Sequence, residues 1–254
     1  MRLRVRSHCL FFVFNLALSS AALATTRYVW TNSPSPGAGF ISWDTAAHTI
    51  QAAVDAASSN DTILVTNGVY DTGGRAVYVV PNRVAIDRAV MVQSVNGPAV
   101  TIIKGLGPSG NSAVRCAYVG NGACLQGFTL TNGYTRSVAS GFLPERVLNG
   151  GGVWCDTGGI VSNCIVSGNI AALNAGGAYG GKLYNCTLSN NLAGEDGGGT
   201  YNCTLYDSIL VENVAVDDGG ATHGNTSYSL YRCLIADNEI LSNVVDGNLT
   251  STSS

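Results

Sequence analysis

Charge is scarce in this chain: 13 Lys and Arg and 16 Asp and Glu make up only 11% of 254 residues, for a net charge of −3. Clustered Lys and Arg, the basis of nucleic-acid binding, are missing, so nucleic acid is excluded as a partner. Histidine is also rare. There is no HExxH, no GxSxG and no Walker loop, and beyond residue 24 only His48 and His223 remain. The surface Glu and Lys that fill helical repeats are thin, which argues against a helical array. Long apolar runs are confined to the N-terminus, where Leu10 to Leu18 is too short to span a bilayer.

That segment has the form of a secretory signal. Arg2, Arg4 and Arg6 precede the apolar run, and Ala22-Leu23-Ala24 closes it, which predicts cleavage after Ala24 and an exported protein, secreted or at a cell surface. Residues 1–24 are therefore read as signal peptide, 25–240 as one elongated domain, and 241–254 as a polar tail or linker. No covering helix follows Asn238, so the far end is expected to be capped by sequence beyond residue 254 or by another chain.

What is abundant is glycine, 32 residues, together with Val, Ile, Thr, Asn and Tyr. These are strand and bend formers. Gly151-Gly152, Gly176-Gly177, Gly198-Gly199 and Gly219-Gly220 each precede a Cys or Ser placed five residues ahead of an Asn: Cys164…Asn169, Cys186…Asn191, Ser208…Asn213 and Cys233…Asn238. Gly127…Asn132 reads as an earlier copy. The Asn spacings are 37, 22, 22 and 25, a period of 22 with insertions of 15 and 3. Such a period marks a solenoid, and about 22 residues suit three short strands per turn of a parallel coil with turns roughly 4.8 Å apart.

The alternation within each repeat predicts which residues face inward. Cys124, Val161, Leu183, Leu205 and Leu230 form one buried column, and Thr129, Val166, Leu188, Leu210 and Ile235 a second. Gln126, Asn163, Asn185, Asp207 and Arg232 form a polar column facing water. Asn132, Asn169, Asn191, Asn213 and Asn238 read as structural, because Asn tolerates left-handed bends and stacked amides can bond from turn to turn. Ahead of the repeats, Ala47, Ile50, Val54 and Ala57 give an amphipathic helix, capped by Asp44 or Thr45, suited to covering the first turn. Cys164, Cys186 and Cys233 read as small core thiols. Cys155 and Cys203 share a second position, while Cys116 and Cys124 could pair across Gly120 and Gly122.

The stretch TIQAAVDAASSNDTILVTNGVY, residues 49–70, resembles the opening of secreted right-handed parallel β-helix proteins of the pectate-lyase-like superfamily. The steps GGVW, GGAY, GGTY and GGAT, paired with CIVSGN, CTLSNN, SILVEN and CLIADN, are similar to the repeats of polymorphic outer-membrane proteins. The resemblance implies an all-β right-handed parallel β-helix with an N-terminal capping helix. It leaves function open, since that architecture serves lyases, hydrolases, adhesins and passengers.

Several residues are candidates for chemistry. VDDGGATHG, residues 216–224, places Asp217, Asp218 and His223 within one turn, but not at the spacing of related glycosidases, so no role is carried over. Asn149, Asn174, Asp196 and Asp217 precede the Gly pairs by two, beside Glu195 and Asp218. Stacked carboxylates at Asp196 and Asp217 suit calcium, although Asp and Asn are also ordinary bend residues. Trp154, Tyr179 and Tyr201 form one aromatic row, and Tyr184, Tyr206 and Tyr231 another, either half-buried stacks or platforms for sugar rings. The insertion 134–149, with Arg136, Glu145 and Arg146, is the loop expected to carry specificity. The expectation is a surface module that binds polysaccharide or cell-surface glycan, or serves as an adhesin-like scaffold. The alternative is a lyase or glycosidase of acidic polysaccharides using Asp196, Asp217 and Asp218.

Overall fold

The computed structural model describes residues 23–137, 144–224 and 229–241. Residues 1–22, which hold most of the expected signal segment, the centre of the 134–149 insertion and the tail after Leu241 lie outside them. The chain winds as a right-handed parallel β-helix of three long sheets. The first sheet has eight strands, from Thr26–Val29 at the N-terminal edge through Thr62–Val65, Met91–Ser94 and Cys124–Gln126 to Ser229–Tyr231. The second and third have seven each. The last four turns add a fourth short strand, Ile170–Ala171, Leu192–Ala193, Val214–Ala215 and Glu239–Ile240, so those turns carry four strands rather than the expected three.

Register explains the core. On the first sheet Ile63, Val92, Leu125, Val161, Leu183, Leu205 and Leu230 lie above one another. On the second the column is Tyr70, Ile103, Leu130, Val166, Leu188, Leu210 and Ile235. All but Leu230 and Ile235, in the last turn, are buried. Two expected members are therefore displaced by one residue. Cys124 pairs with Ile160 and Thr129 with Ile165, on the outward side, because Phe128 rather than Gly127 occupies the position of Cys164. Gly127, with φ +81°, instead takes the left-handed bend position shared by Asn163, Asn185, Asp207 and Arg232.

The same shift removes Asn132 from the asparagine column. It aligns with Gly168 and Asn190, and its φ of +55° marks it as a bend residue. The true column is Asn169, Asn191, Asn213 and Asn238. Asn191 Nδ2 donates to Asn213 Oδ1 at 2.9 Å and to Val166 O at 2.8 Å, while its Oδ1 accepts from Asn169 N and Nδ2 at 3.1 and 3.0 Å. None of these four has a positive φ. They hold the coil by amide-to-amide and amide-to-backbone bonds, which satisfy polar groups buried at the bend.

The Gly pairs act by space. A Cβ on Gly177 would lie 2.4 Å from Gly199 O of the next turn, and one on Gly152 would lie 2.6 Å from Gly177 O. The left-handed residues come just before, at Gly150, Ala175, Gly197 and Gly219, so Gly219-Gly220 is offset by one from the other pairs. Cys164, Cys186 and Ser208 stack as expected; Ser208 Oγ accepts from Cys186 N at 3.1 Å. All seven described cysteines are free thiols, so Cys116 and Cys124 are not bonded. Cys155 stands opposite Gly180, and Cys203 falls one residue further along, so they do not share a position.

At the N-terminal end, Ile50–Ala56 is the single described α-helix, capped by Thr49, whose hydroxyl accepts from Ala52 N at 3.3 Å, rather than by Asp44 or Thr45. Its buried Gln51 exchanges hydrogen bonds with the Ala85 backbone, accepting from the N–H at 2.7 Å and donating to the carbonyl at 3.3 Å. Asp61, buried beneath the first strand, accepts from Thr25 N at 2.7 Å and pairs with Arg27 at 3.2 Å. No described helix is long and apolar enough to cross a membrane.

Candidate functional site

The outward face of the third sheet brings together most of the chemistry-bearing residues read from the sequence. Strand alternation sends Val153 and Cys155 into the core and Trp154 outward, and register then stacks Tyr118, Trp154, Tyr179, Tyr201 and His223 one per turn. Trp154 and Tyr179 are parallel within 12° at 4.3 Å, and Tyr179 and Tyr201 within 9° at 5.5 Å. His223 tilts by 52° at 5.4 Å from Tyr201. Stacking along the coil axis closes the ring faces against one another. Trp154 has Tyr179 on the following turn and the Arg115 guanidinium, 5.7 Å from its ring centre, reaching from the preceding one. Trp154 and Tyr179 are partly exposed while Tyr118 and Tyr201 are buried, so the row offers no open platform.

Carboxylates flank this row. Asp156 accepts from Tyr118 Oη at 2.7 Å and from Trp154 Nε1 at 3.2 Å. Burial and this carboxylate push the Tyr118 phenol well above its usual range. The column ahead of the Gly pairs is Asn149, Asn174, Asp196 and Asp218, not Asp217. Each side-chain oxygen accepts from the next backbone N–H: Asn149 from Asn174 at 3.0 Å, Asn174 from Asp196 at 3.1 Å, and Asp196 from Asp218 at 3.1 Å. Asp217 falls instead on the turn above Glu195, donating its N–H to Glu195 O at 2.9 Å. The expected Asp196–Asp217 stack for calcium is therefore not formed, and among the described residues no three His, Cys, Asp or Glu gather as a metal-holding group. His223 Nδ1 lies 3.4 Å from Asp196 Oδ2. Partial burial, followed by Asp196, Asp217 and Glu145, raises the Glu195 carboxyl.

A wall rises beside the row. The hairpin of Arg75–Val77 and Val80–Ile86 turns through Tyr78 and Val79, both at positive φ, +50° and +63°, an unfavourable conformation for a β-branched residue. Arg146 from the insertion stacks on Tyr78 at 4.4 Å. Arg115, 2% exposed, fixes the base of that insertion by donating to the carbonyls of Gly150 at 2.6 Å, Asn149 at 2.7 Å and Arg146 at 3.0 Å. It also donates to Asn82 Oδ1 at 3.2 Å, and burial lowers its pKa to about 9. The second row, Tyr184, Tyr206 and Tyr231, runs along the first sheet at 4.7 and 4.8 Å, with Tyr231 49% exposed.

The sequence reading missed the N-terminal loop. Trp30 follows the edge strand, and Trp43 returns to it because Tyr28 N donates to Phe40 O, Trp30 N to Ala47 O, and Arg27 Nη1 to Gly39 O, at 2.8, 2.9 and 2.6 Å. With Thr66 and Asn67 they line an open groove of about 460 Å³. Two of the chain's three Trp within one Pro- and Gly-broken stretch were the available signal.

No protein-family model and no curated protein matches the chain. Among solved structures it is similar to the pectin methylesterase PemA from Erwinia chrysanthemi, at 15% identity over 82% of this chain and 70% of that one, with a TM-score of 0.42. It is similar also to a pectin methylesterase variant in complex with a hexasaccharide, at 15% identity over 84% of this chain and 71% of that one, with a TM-score of 0.43. The likeness is one of fold.

Proposed function

We propose that this chain is an exported β-helix module that holds a polysaccharide along the outward face of its third sheet without cleaving it. The observation that carries the reading is the engagement of its carboxylates. Asp156 is held by Tyr118 and Trp154, and Asp196 accepts from the Asp218 backbone, so these groups serve the coil and the rim instead of standing free as an acid and base. Ring edges at Tyr179 and acceptors at Glu145, Glu195 and Asp196 along the same face suit the hydroxyls of a chain lying parallel to the coil. Arg146 and Tyr78 would fix its lateral position. Export is supported by Thr25: cleavage after Ala24 would leave its ammonium 2.7 Å from the buried Asp61 carboxylate.

The alternative is hydrolysis or lyase cleavage, favoured by the closeness of His223 to Asp196 and the raised Glu195 carboxyl. Incubation with a panel of plant, algal and host polysaccharides, with and without calcium, separates the two. Retention without shortening of the polymer, weakened by Tyr179→Ala, supports binding. Polymer shortening abolished by Asp196→Ala makes the protein an enzyme.

A further inference from the structure

The groove between Trp30 and Trp43 differs in kind from the third-sheet row. Trp43 is 37% exposed and meets Tyr28 edge-on, at 4.6 Å and 64°, so that contact does not stack a ring over its face. Trp30 is partly buried at the end of the edge strand. Among the described residues neither indole N–H has a protein acceptor, and the Thr66 hydroxyl has no side-chain bond. Asn67 Oδ1 accepts from Asn96 Nδ2 on the next turn at 2.6 Å, which orients the Asn67 amide with its own nitrogen free among the described residues. The four lining residues carry no charge. The loop that sets Trp43 is held in place by the backbone pairing above and by Phe40 at φ +54°, a left-handed conformation rare for an aromatic residue.

We infer that this groove is a binding site for a neutral sugar unit, separate from the third-sheet face. A pyranose has an apolar C–H face and a rim of hydroxyls. The indole faces take the first, and the indole N–H groups, Thr66 and the Asn67 amide bond the second. The volume lies within the roughly 300–1,000 Å³ of small-molecule sites. The absence of lining charge selects a neutral ring over a uronate, which would enter without a cationic partner.

The three Trp residues allow a direct test. In a Trp154→Phe background only Trp30 and Trp43 emit, and the full chain is titrated with β-linked hexasaccharides of glucose, mannose and xylose, and with a polygalacturonate hexamer. The expected result is a saturable fluorescence change with at least one neutral hexasaccharide and none with the acidic one. Trp43→Ala weakens it at least tenfold, as does Asn67→Asp, which alters the rim alone. No saturable change with any neutral hexasaccharide overturns the inference. So does a change that survives Trp43→Ala and is lost in Tyr179→Ala, which would assign binding to the third sheet and leave that reading standing.

Discussion

Two sets of aromatic residues in this molecule are put to opposite uses. In the regular turns, Trp154, Tyr179 and Tyr201 are stacked by the register of the coil, and their faces are consumed in holding turns together. In the irregular N-terminal loop, Trp30 and Trp43 come from segments 13 residues apart and meet across an open groove. A parallel coil with one ring per turn closes those rings automatically, because its turn spacing approaches the stacking distance. Open aromatic faces are therefore found where the repeat breaks down, and the regular rows keep their ring faces against one another.

Breaking the regular region has the largest expected effect. Asn191→Ala removes four bonds, leaving Asn169 N without its acceptor while Asn213 Oδ1 keeps the Asn191 N–H, and at about 1 kcal/mol per lost bond the cost is about 4 kcal/mol. Chemical denaturation should show it as a lowered midpoint. Arg115→Lys keeps the charge but gives up the planar fork that fastens the insertion, for a loss of about 2–3 kcal/mol, and it uncovers Trp154. Red-shifted emission of Trp154 would report it.

The comparison itself is sharpened by a reciprocal pair. Tyr179→Ala should cost about 1–3 kcal/mol in stability, through lost packing on both neighbours. Trp43→Ala should cost less, about 1 kcal/mol or under, while weakening the sugar-dependent fluorescence change at least tenfold. Equal destabilisation by both would mean that Trp43 is as structural as the row.

The smallest effect concerns pH. Asp61 anchors Arg27, which holds the Trp43 loop through Gly39 O. Burial opposes ionisation of Asp61, but backbone bonds from Ser58 and Thr25 and the Arg27 charge outweigh it, and its pKa falls below the ordinary 3.8. Its contribution to stability is thus complete above pH 3.8 and is lost as pH falls through the lower folded value. Asp61→Asn should be less stable at neutral pH and lack that segment of acid sensitivity in a thermal melt.

Much of this was legible in the sequence, and the errors have physical causes. The buried Leu183, Leu188, Leu205 and Leu210 and the amide ladder from Asn169 onward follow from the 22-residue period. The first copy was read one residue out of phase because Phe128 substitutes for the column Cys, while the neighbouring Gly127 mimics the small residue. Asn132 looked like a ladder member for that reason, and Gly219-Gly220 misplaced Asp217 by the same kind of slip. A one-residue slip reverses the face of every side chain, so local likeness cannot fix register where an insertion intervenes. Of the Trp30–Trp43 groove only the two Trp in one broken stretch were legible, since its shape depends on a loop folding back onto an edge strand and on a turn 23 residues beyond Trp43.

The central claim is that this β-helix holds polysaccharide and leaves it intact. Affinity electrophoresis through gels containing each polysaccharide, with the polymer's length measured before and after, tests it most directly. The account predicts retarded migration with at least one polymer, weakened retardation in Tyr179→Ala, and unchanged polymer length. Shortened polymer, with activity lost in Asp196→Ala, would contradict it.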